Sequence, residues 1–125
     1  MDETLFTGRE LDVMSILWEL GSGTVSEVKE RLPDELAYTS VLSVLQTLEE
    51  KGYVRHETEG RAYRYHPLVE PDDAGRSALR RIVDKIFHGS AEHVVAQLVS
   101  ERGLTRAELE RMRELLDERL KRRRR

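Results

Sequence analysis

The chain has 125 residues, 38% of them hydrophobic and 36% charged, with a formal net charge of −3; that is enough for one domain, or one small domain with an accessory element, and too little for two large cores. It contains no cysteine, which excludes a disulfide framework and every thiolate metal or redox site. No apolar run approaches the roughly 18 residues of a membrane span and no secretory leader precedes the first periodic segment, so a soluble, cytoplasmic chain without membrane insertion is expected.

The first structural signal is Thr7-Gly8-Arg9-Glu10, a Thr-x-x-Glu capping box. Behind it Leu11, Met14, Leu17 and Trp18 recur at helical spacing, with Val13 and Ile16 widening the stripe. A first helix is expected from Gly8 to Leu20, ended by Gly21 and Gly23. Thr24 and Val25 suit a short strand, and Ser26 suits the cap of a second helix running through Leu32. Pro33 cannot continue it. After the gap from Asp34 to Ala37, a third helix is expected from Tyr38-Thr39-Ser40-Val41 to about Lys51, stopping at Gly52. Val41, Val44, Leu45 and Leu48 make its apolar face. Thr39, Ser40, Ser43, Gln46 and Thr47 lie opposite, with Leu42 at the margin.

The period then changes. Tyr53 to Thr58 and Ala62 to Pro67 are rich in aromatic and β-branched residues, with a turn at Glu59-Gly60 and Arg61 beside its tip. Helix, short strand, helix, helix and hairpin in that order describe a winged helix-turn-helix. From Pro71 the pattern is helical again. A fourth helix is expected from Asp72 to Phe87, with Leu79, Ile82, Val83 and Ile86 on one side and Gly89 past its end. Ser90 caps a fifth, with Val94, Val95, Leu98 and Val99 inside and a break at Gly103. Thr105-Arg106-Ala107-Glu108 is another capping box, opening a sixth with Leu109, Met112, Leu115, Leu116 and Leu120. The closing charge run, Lys121 to Arg125, is expected to fray into a disordered, solubilising end, with contact to DNA phosphates as the less favoured alternative. The expected architecture is therefore mainly α with a small β-hairpin wing. Residues 1–70 form a winged-helix DNA-binding domain, and residues 71–125 a helical dimerisation domain with a basic tail.

A helix fits the major groove, where hydroxyls and amides reach base edges and apolar groups meet the thymine methyl. Thr39, Ser40, Leu42, Ser43, Gln46 and Thr47 present that chemistry. Taken alone they would suit a solvated helix face equally well, and it is the hairpin behind them that favours DNA. Lys51, Arg55, Arg61 and Arg64 cluster within 14 residues and supply phosphate contacts, with Arg61 placed to enter a minor groove. Their effect is diluted by Glu57 and Glu59, and by an acidic N-terminal half. Residues 1–70 carry 14 Asp+Glu against 7 Lys+Arg, a net of −7, while residues 71–125 carry 10 against 14, a net of +4. Each protomer should therefore contribute modestly, and dimerisation should matter for affinity.

The apolar stripes of the last three helices, Leu79, Ile82, Val83, Ile86, Val94, Val95, Leu98, Leu109, Met112, Leu115 and Leu116, can hardly all be buried within about 50 residues. A second copy would close that core. His56, His66, His88 and His93 form two pairs without an obvious third donor, so no metal and no cofactor is expected. No HExxH or GxSxG motif is present, and no enzymatic activity is expected. Three alternatives fit the same residues less well. They are a winged-helix protein-interaction module, a ligand-responsive MarR-like regulator, and, among enzymes, a metal-dependent hydrolase.

The segments Thr7 to Trp18 (TGRELDVMSILW), Val25 to Val28 (VSEV), Tyr38 to Val54 (YTSVLSVLQTLEEKGYV), Gly60 to Tyr65 (GRAYRY) and Phe87 to Ser90 (FHGS) resemble the penicillinase and methicillin-resistance repressors, the BlaI/MecI/CopY group. The resemblance spans nearly the whole chain. It implies a homodimeric repressor that binds double-stranded operator DNA at inverted repeats, with Thr39, Ser40 and Ser43 as base readers. It also implies, in the β-lactam branch, a membrane sensor-protease partner and cleavage near Gln97 and Leu98. The sequence departs from the family at three points. It lacks the C-terminal cysteine motif of the copper-responsive branch, which excludes thiolate copper sensing. It has Thr47 where Arg is common, and Gln97-Leu98 in place of an Asn-Phe pair.

Overall fold

A computed structural model describes residues 6–124. The element order is α1 (Gly8–Leu20), β1 (Gly23–Thr24), α2 (Val25–Arg31), α3 (Tyr38–Glu50), β2 (Val54–Glu59), β3 (Ala62–Pro67), α4 (Pro71–Lys85), α5 (Ala91–Glu101) and α6 (Arg106–Arg123). Two compact units divide between Arg80 and Arg81, and each is described by itself.

In the first unit, α1 begins as its sequence dictates. The Thr7 hydroxyl accepts the Glu10 N–H, and the Glu10 carboxylate accepts the Thr7 N–H in return. The helix ends at Gly21, whose φ of 87° is a left-handed conformation that a glycine adopts without Cβ strain. The second helix starts differently from expectation. Its cap is Thr24, in a second capping box with Glu27, and Ser26 lies inside the helix. The short strand accordingly moves back by one residue, to Gly23 and Thr24. There Gly23 is packed so closely that an added Cβ would meet Val28 at 3.3 Å and Leu17 at 3.4 Å.

Strands β1, β3 and β2 form a three-stranded antiparallel sheet in that order. Pairing of Glu59 with Ala62 leaves Gly60 and Arg61 as a two-residue hairpin loop, one residue later than the sequence suggests. Gly60 has φ 63°, the conformation such a loop requires at its first position.

The interior of this unit is made by one face of each helix and the buried side of the sheet. Val13, Met14, Leu17, Val28, Val41, Leu45 and Leu48 have no exposed surface, and Val54 and Tyr65 close the sheet side at 1%. Each such aliphatic side chain contributes about 1.5–3 kcal/mol of burial free energy. Leu11, placed by its spacing on the inner stripe, is instead exposed, because the axis of the buried face runs through Val13, Met14, Ile16 and Leu17. Trp18 donates its indole N–H to the Val69 carbonyl at 2.8 Å and meets Phe6 edge to face, which ties α1 to the segment following the wing.

The second unit contrasts with the first. Helices α5 and α6 are well started, by Ser90 accepting from the His93 N–H and by a Thr105/Glu108 capping box. Neither contains a buried residue. Between α4 and α5, His88 at φ 51° and Gly89 at φ 85° stand consecutively in the left-handed region, and Gly89 N–H donates to the Val83 carbonyl at 2.8 Å. The closing basic run does not fray at Lys121: α6 is helical through Arg123, with Arg124 as its C-cap. Among the described residues, no helix is long and apolar enough to cross a membrane.

Candidate nucleic-acid interface

The outer face of α3 is uncovered. Thr39, Ser40, Ser43 and Gln46 are exposed, with Leu42 and Thr47 half-buried beside them. This follows from helical geometry: once Val41, Leu45 and Leu48 turn inward, positions 39, 43 and 46 must turn outward. Tyr38, at the first helical position, is 47% exposed and adds an aromatic hydroxyl to the same end of the helix. In the sequence Tyr38 marks only the start of this helix and has no assigned part in the surface; its exposure becomes visible once the helix face is known. The N-cap residue is Ala37, which offers no side-chain hydrogen bond.

The wing cations fall into two kinds. Lys51 places Nζ 2.9 Å from both carboxylate oxygens of Glu10, a residue itself only 5% exposed. Burial pushes the Glu10 carboxyl up, but the Lys51 ammonium and the Thr7 amide outweigh it and hold the group below its ordinary value. Arg64 is clamped twice. Its Nε and Nη2 reach the Glu59 carboxylate at 2.8 and 2.9 Å, while Nη1 and Nη2 reach Glu27 at 3.1 and 3.2 Å. Nη1 also donates to the Ser22 hydroxyl at 3.2 Å. Hydrogen bonding to Arg64 holds both carboxyls low, and they in turn raise the guanidinium. Arg55 has a loose contact with Glu57 at 3.9 Å. Arg61, at the loop tip, is exposed and makes no ion pair with any described residue.

Two of these ion pairs are long-range and could not be read from spacing. Lys51 and Glu10 are 41 positions apart, and Arg64 and Glu27 are 37 apart. Both acids are the closing residues of capping boxes, so each does double duty: it finishes a helix start and holds a cation. Lys51 fixes the end of α3 to the start of α1, and Arg64 fixes the wing to the start of α2. The free positive charge of this surface is concentrated on Arg61 and, in part, Arg55.

The histidines fit the same pattern. His56 Nδ1 lies 2.7 Å from both oxygens of Glu49, and its ring lies against Tyr63 and Tyr65 with centroids 4.4 and 5.5 Å away. His66 Nε2 lies 2.8 Å from Glu57. His56 therefore ties β2 to the last turn of α3. Among the described residues, no group of three or more His, Asp or Glu is arranged to hold a metal ion.

In the second unit the apolar residues of the stripes stay open. Ile82, Ile86, Val95, Leu98, Leu109, Leu115 and Leu116 are 40–72% exposed, and Val83, Val94 and Met112 are half-covered. Leu79, on the part of α4 that belongs to the first unit, is 51% exposed. Gln97 and Leu98 lie exposed in the middle of α5.

A helix with a bare hydroxyl and amide face, backed by a three-helix core and flanked by a hairpin tipped with a free arginine, defines a winged-helix DNA-binding protein. The model of the family described as penicillinase repressor matches residues 6–118, and the chain belongs to that family of non-enzymatic, DNA-binding transcriptional repressors. It is 21% identical over 110 residues to the methicillin resistance regulatory protein MecI of Staphylococcus aureus strain N315, covering 86% of this chain and 89% of the relative. It is 23% identical over 111 residues to the penicillinase repressor of Bacillus licheniformis, covering 87% of each. Among solved structures it resembles the DNA binding domain of the repressor BlaI in solution, with 27% identity, a TM-score of 0.52, and coverage of 58% of this chain and 90% of that one. It also resembles the Bacillus licheniformis BlaI monomeric form in complex with the blaP half-operator, at 27% identity, a TM-score of 0.50 and the same coverage.

Proposed function

We propose that this repressor acts in the cytoplasm as a homodimer on an inverted-repeat operator, setting one α3 into each of two successive major grooves and blocking transcription by occupancy. The observation that carries the dimer is the state of α5 and α6: apolar side chains at helical spacing, caps that define both helices, and nothing buried in either. A second copy presenting the same stripes supplies the missing partner surface. Support for DNA contact comes from the bare α3 face and from the relative described as bound to a half-operator.

Within the interface, Thr39, Ser40, Ser43 and Gln46 read base edges, with Leu42 and Thr47 at their margin. Arg61 and Arg55 contact phosphate. Lys51 and Arg64 act by holding α3 and the wing in position, since their charges are already matched by Glu10, Glu27 and Glu59. Cleavage at Gln97-Leu98 by a sensor-protease would require α5 to open first, because a protease takes its substrate extended; with no buried residue in α5, opening meets little resistance in a free protomer.

Arg61→Ala should weaken binding to all duplexes alike and lower the salt slope by about one unit per lost phosphate contact. Ser40→Val or Ser43→Val should change which sequences are selected from a random pool and leave the salt slope alone. If both kinds of variant bound the wild-type sequence unchanged, this assignment of contacts would be wrong.

A further inference from the structure

The last seven residues of the sequence, Arg119 to Arg125, comprise six cations and Leu120. Residues 71–118 carry ten Asp+Glu and eight Lys+Arg, so the positive excess of the second half lies wholly in this run. The structure makes it a helix end: α6 continues through Arg123 and Arg124 caps it. Arg119, Lys121, Arg122, Arg123 and Arg124 form no ion pair with a described residue. Elsewhere Arg9, Arg31, Lys51 and Arg64 each have a carboxylate partner.

The helix dipole accounts for one or two cations in a last turn. It does not account for a run that goes on from Arg119 through Arg124, because Arg119 faces Arg122 and Arg123 at the spacings where like charges oppose a helix. Water and salt screen that repulsion only in part, and a polyanion alongside would turn it into attraction. Double-stranded DNA is such a polyanion, and cations that meet its phosphates bind it by releasing condensed counterions, whatever the base sequence. An anionic lipid surface fits less well: an interfacial helix needs a free apolar face beside its cations, and the stripe of α6 (Leu109, Leu115, Leu116 and Leu120, all exposed in the single chain) is the one a second copy covers in the proposed dimer.

We propose that this end of α6 binds the phosphate backbone of double-stranded DNA without sequence preference. It thereby supplies the electrostatic affinity that residues 1–70, at a net of −7, lack. The inference rests on the DNA-binding function above and adds a second, sequence-blind contact region to it.

The test replaces Lys121→Gln, Arg122→Gln, Arg123→Gln and Arg124→Gln together in the full chain. Binding is then measured over a salt series to a duplex selected by the wild type and to an unrelated duplex. Both affinities should fall by the same factor, about tenfold or more at moderate salt, and the slope of log affinity on log salt should drop by roughly two or more on both. Arg122→Lys, Arg123→Lys and Arg124→Lys together should keep the wild-type values, because charge count is unchanged. Glutamine is a good helix former, and circular dichroism and sedimentation on both variants check that fold and association persist.

Unchanged slopes on both duplexes, or a loss confined to the selected one, would overturn the proposal. So would unchanged slopes combined with loss of binding to phosphatidylserine–phosphatidylcholine vesicles, which would assign the run to lipid. If the wild type itself showed no salt-sensitive binding to any duplex, the DNA-binding function would fail, and this proposal with it.

Discussion

Helices α3 and α5 have similar lengths, 13 and 11 residues, and both carry an apolar stripe. Yet α3 buries Val41, Leu45 and Leu48 completely, while Val95, Leu98 and Val99 of α5 stay 40–48% exposed. Local sequence does not separate them, since α5 is in fact the better capped of the two. The difference is the presence of facing surface. α3 meets α1, α2 and the sheet within its own unit, whereas α5 and α6 meet too little apolar surface to bury a single residue. Amphipathic spacing thus tells which face wants cover, and the fold tells whether the chain supplies it.

Several substitutions would break or sharpen that contrast. The largest effect is expected from Leu115→Glu with Leu116→Glu, which places two charges on the open face of α6. Self-association measured by sedimentation should weaken by about 100-fold or more, while the thermal transition of the winged unit stays in place. Leu45→Ala should do the reverse. It should cost the winged unit about 2–5 kcal/mol in denaturant unfolding and leave the open face untouched.

Lys51→Met isolates one ion pair. Because Glu10 is held below its ordinary value of 4.5 in the folded protein, its contribution is fully present above that value and is lost as pH falls through the lower folded value. The variant should therefore be less stable near neutrality, by about 1–2 kcal/mol given the partial exposure of Lys51. The gap should narrow on acidification below 4.5 in a pH series of melts. The smallest effect belongs to Arg64→Gln, which releases the wing from α2; amide hydrogen exchange at Tyr63 and Tyr65 should accelerate while global unfolding hardly shifts.

The sequence was informative where the determinants are local. Thr7 with Glu10 and Thr105 with Glu108 announce helix starts four residues at a time, and both form as read. Ser26 misled because the capping box that starts two residues earlier, Thr24 with Glu27, is hidden by Thr24's place in a two-residue strand. Leu11 misled because spacing fixes a stripe but not its centre. The pairings of Lys51 with Glu10 and of Arg64 with Glu27 were illegible, as each joins residues more than 35 positions apart. Spacing groups these cations with Arg55 and Arg61 as one patch, and side-chain geometry divides them. The basic run was expected to fray as a terminal charge run, and through Arg123 it extends α6 instead, helped by the favourable sense of cations at a helix C-terminus.

His88 and Gly89, consecutive at φ 51° and 85°, give the junction of α4 and α5 a property its neighbours lack. Two left-handed residues in a row reverse the handedness of the chain over one step, and a β-branched side chain at position 88 would clash with its own backbone there. The bend is thus written in backbone chirality. Gly89 and Ser90 N–H groups donating to the Val83 and Phe87 carbonyls, and the Phe87 and His93 rings edge to face at 5.0 Å, close it with contacts from a single subunit, so the corner from which α5 departs is ready to meet another.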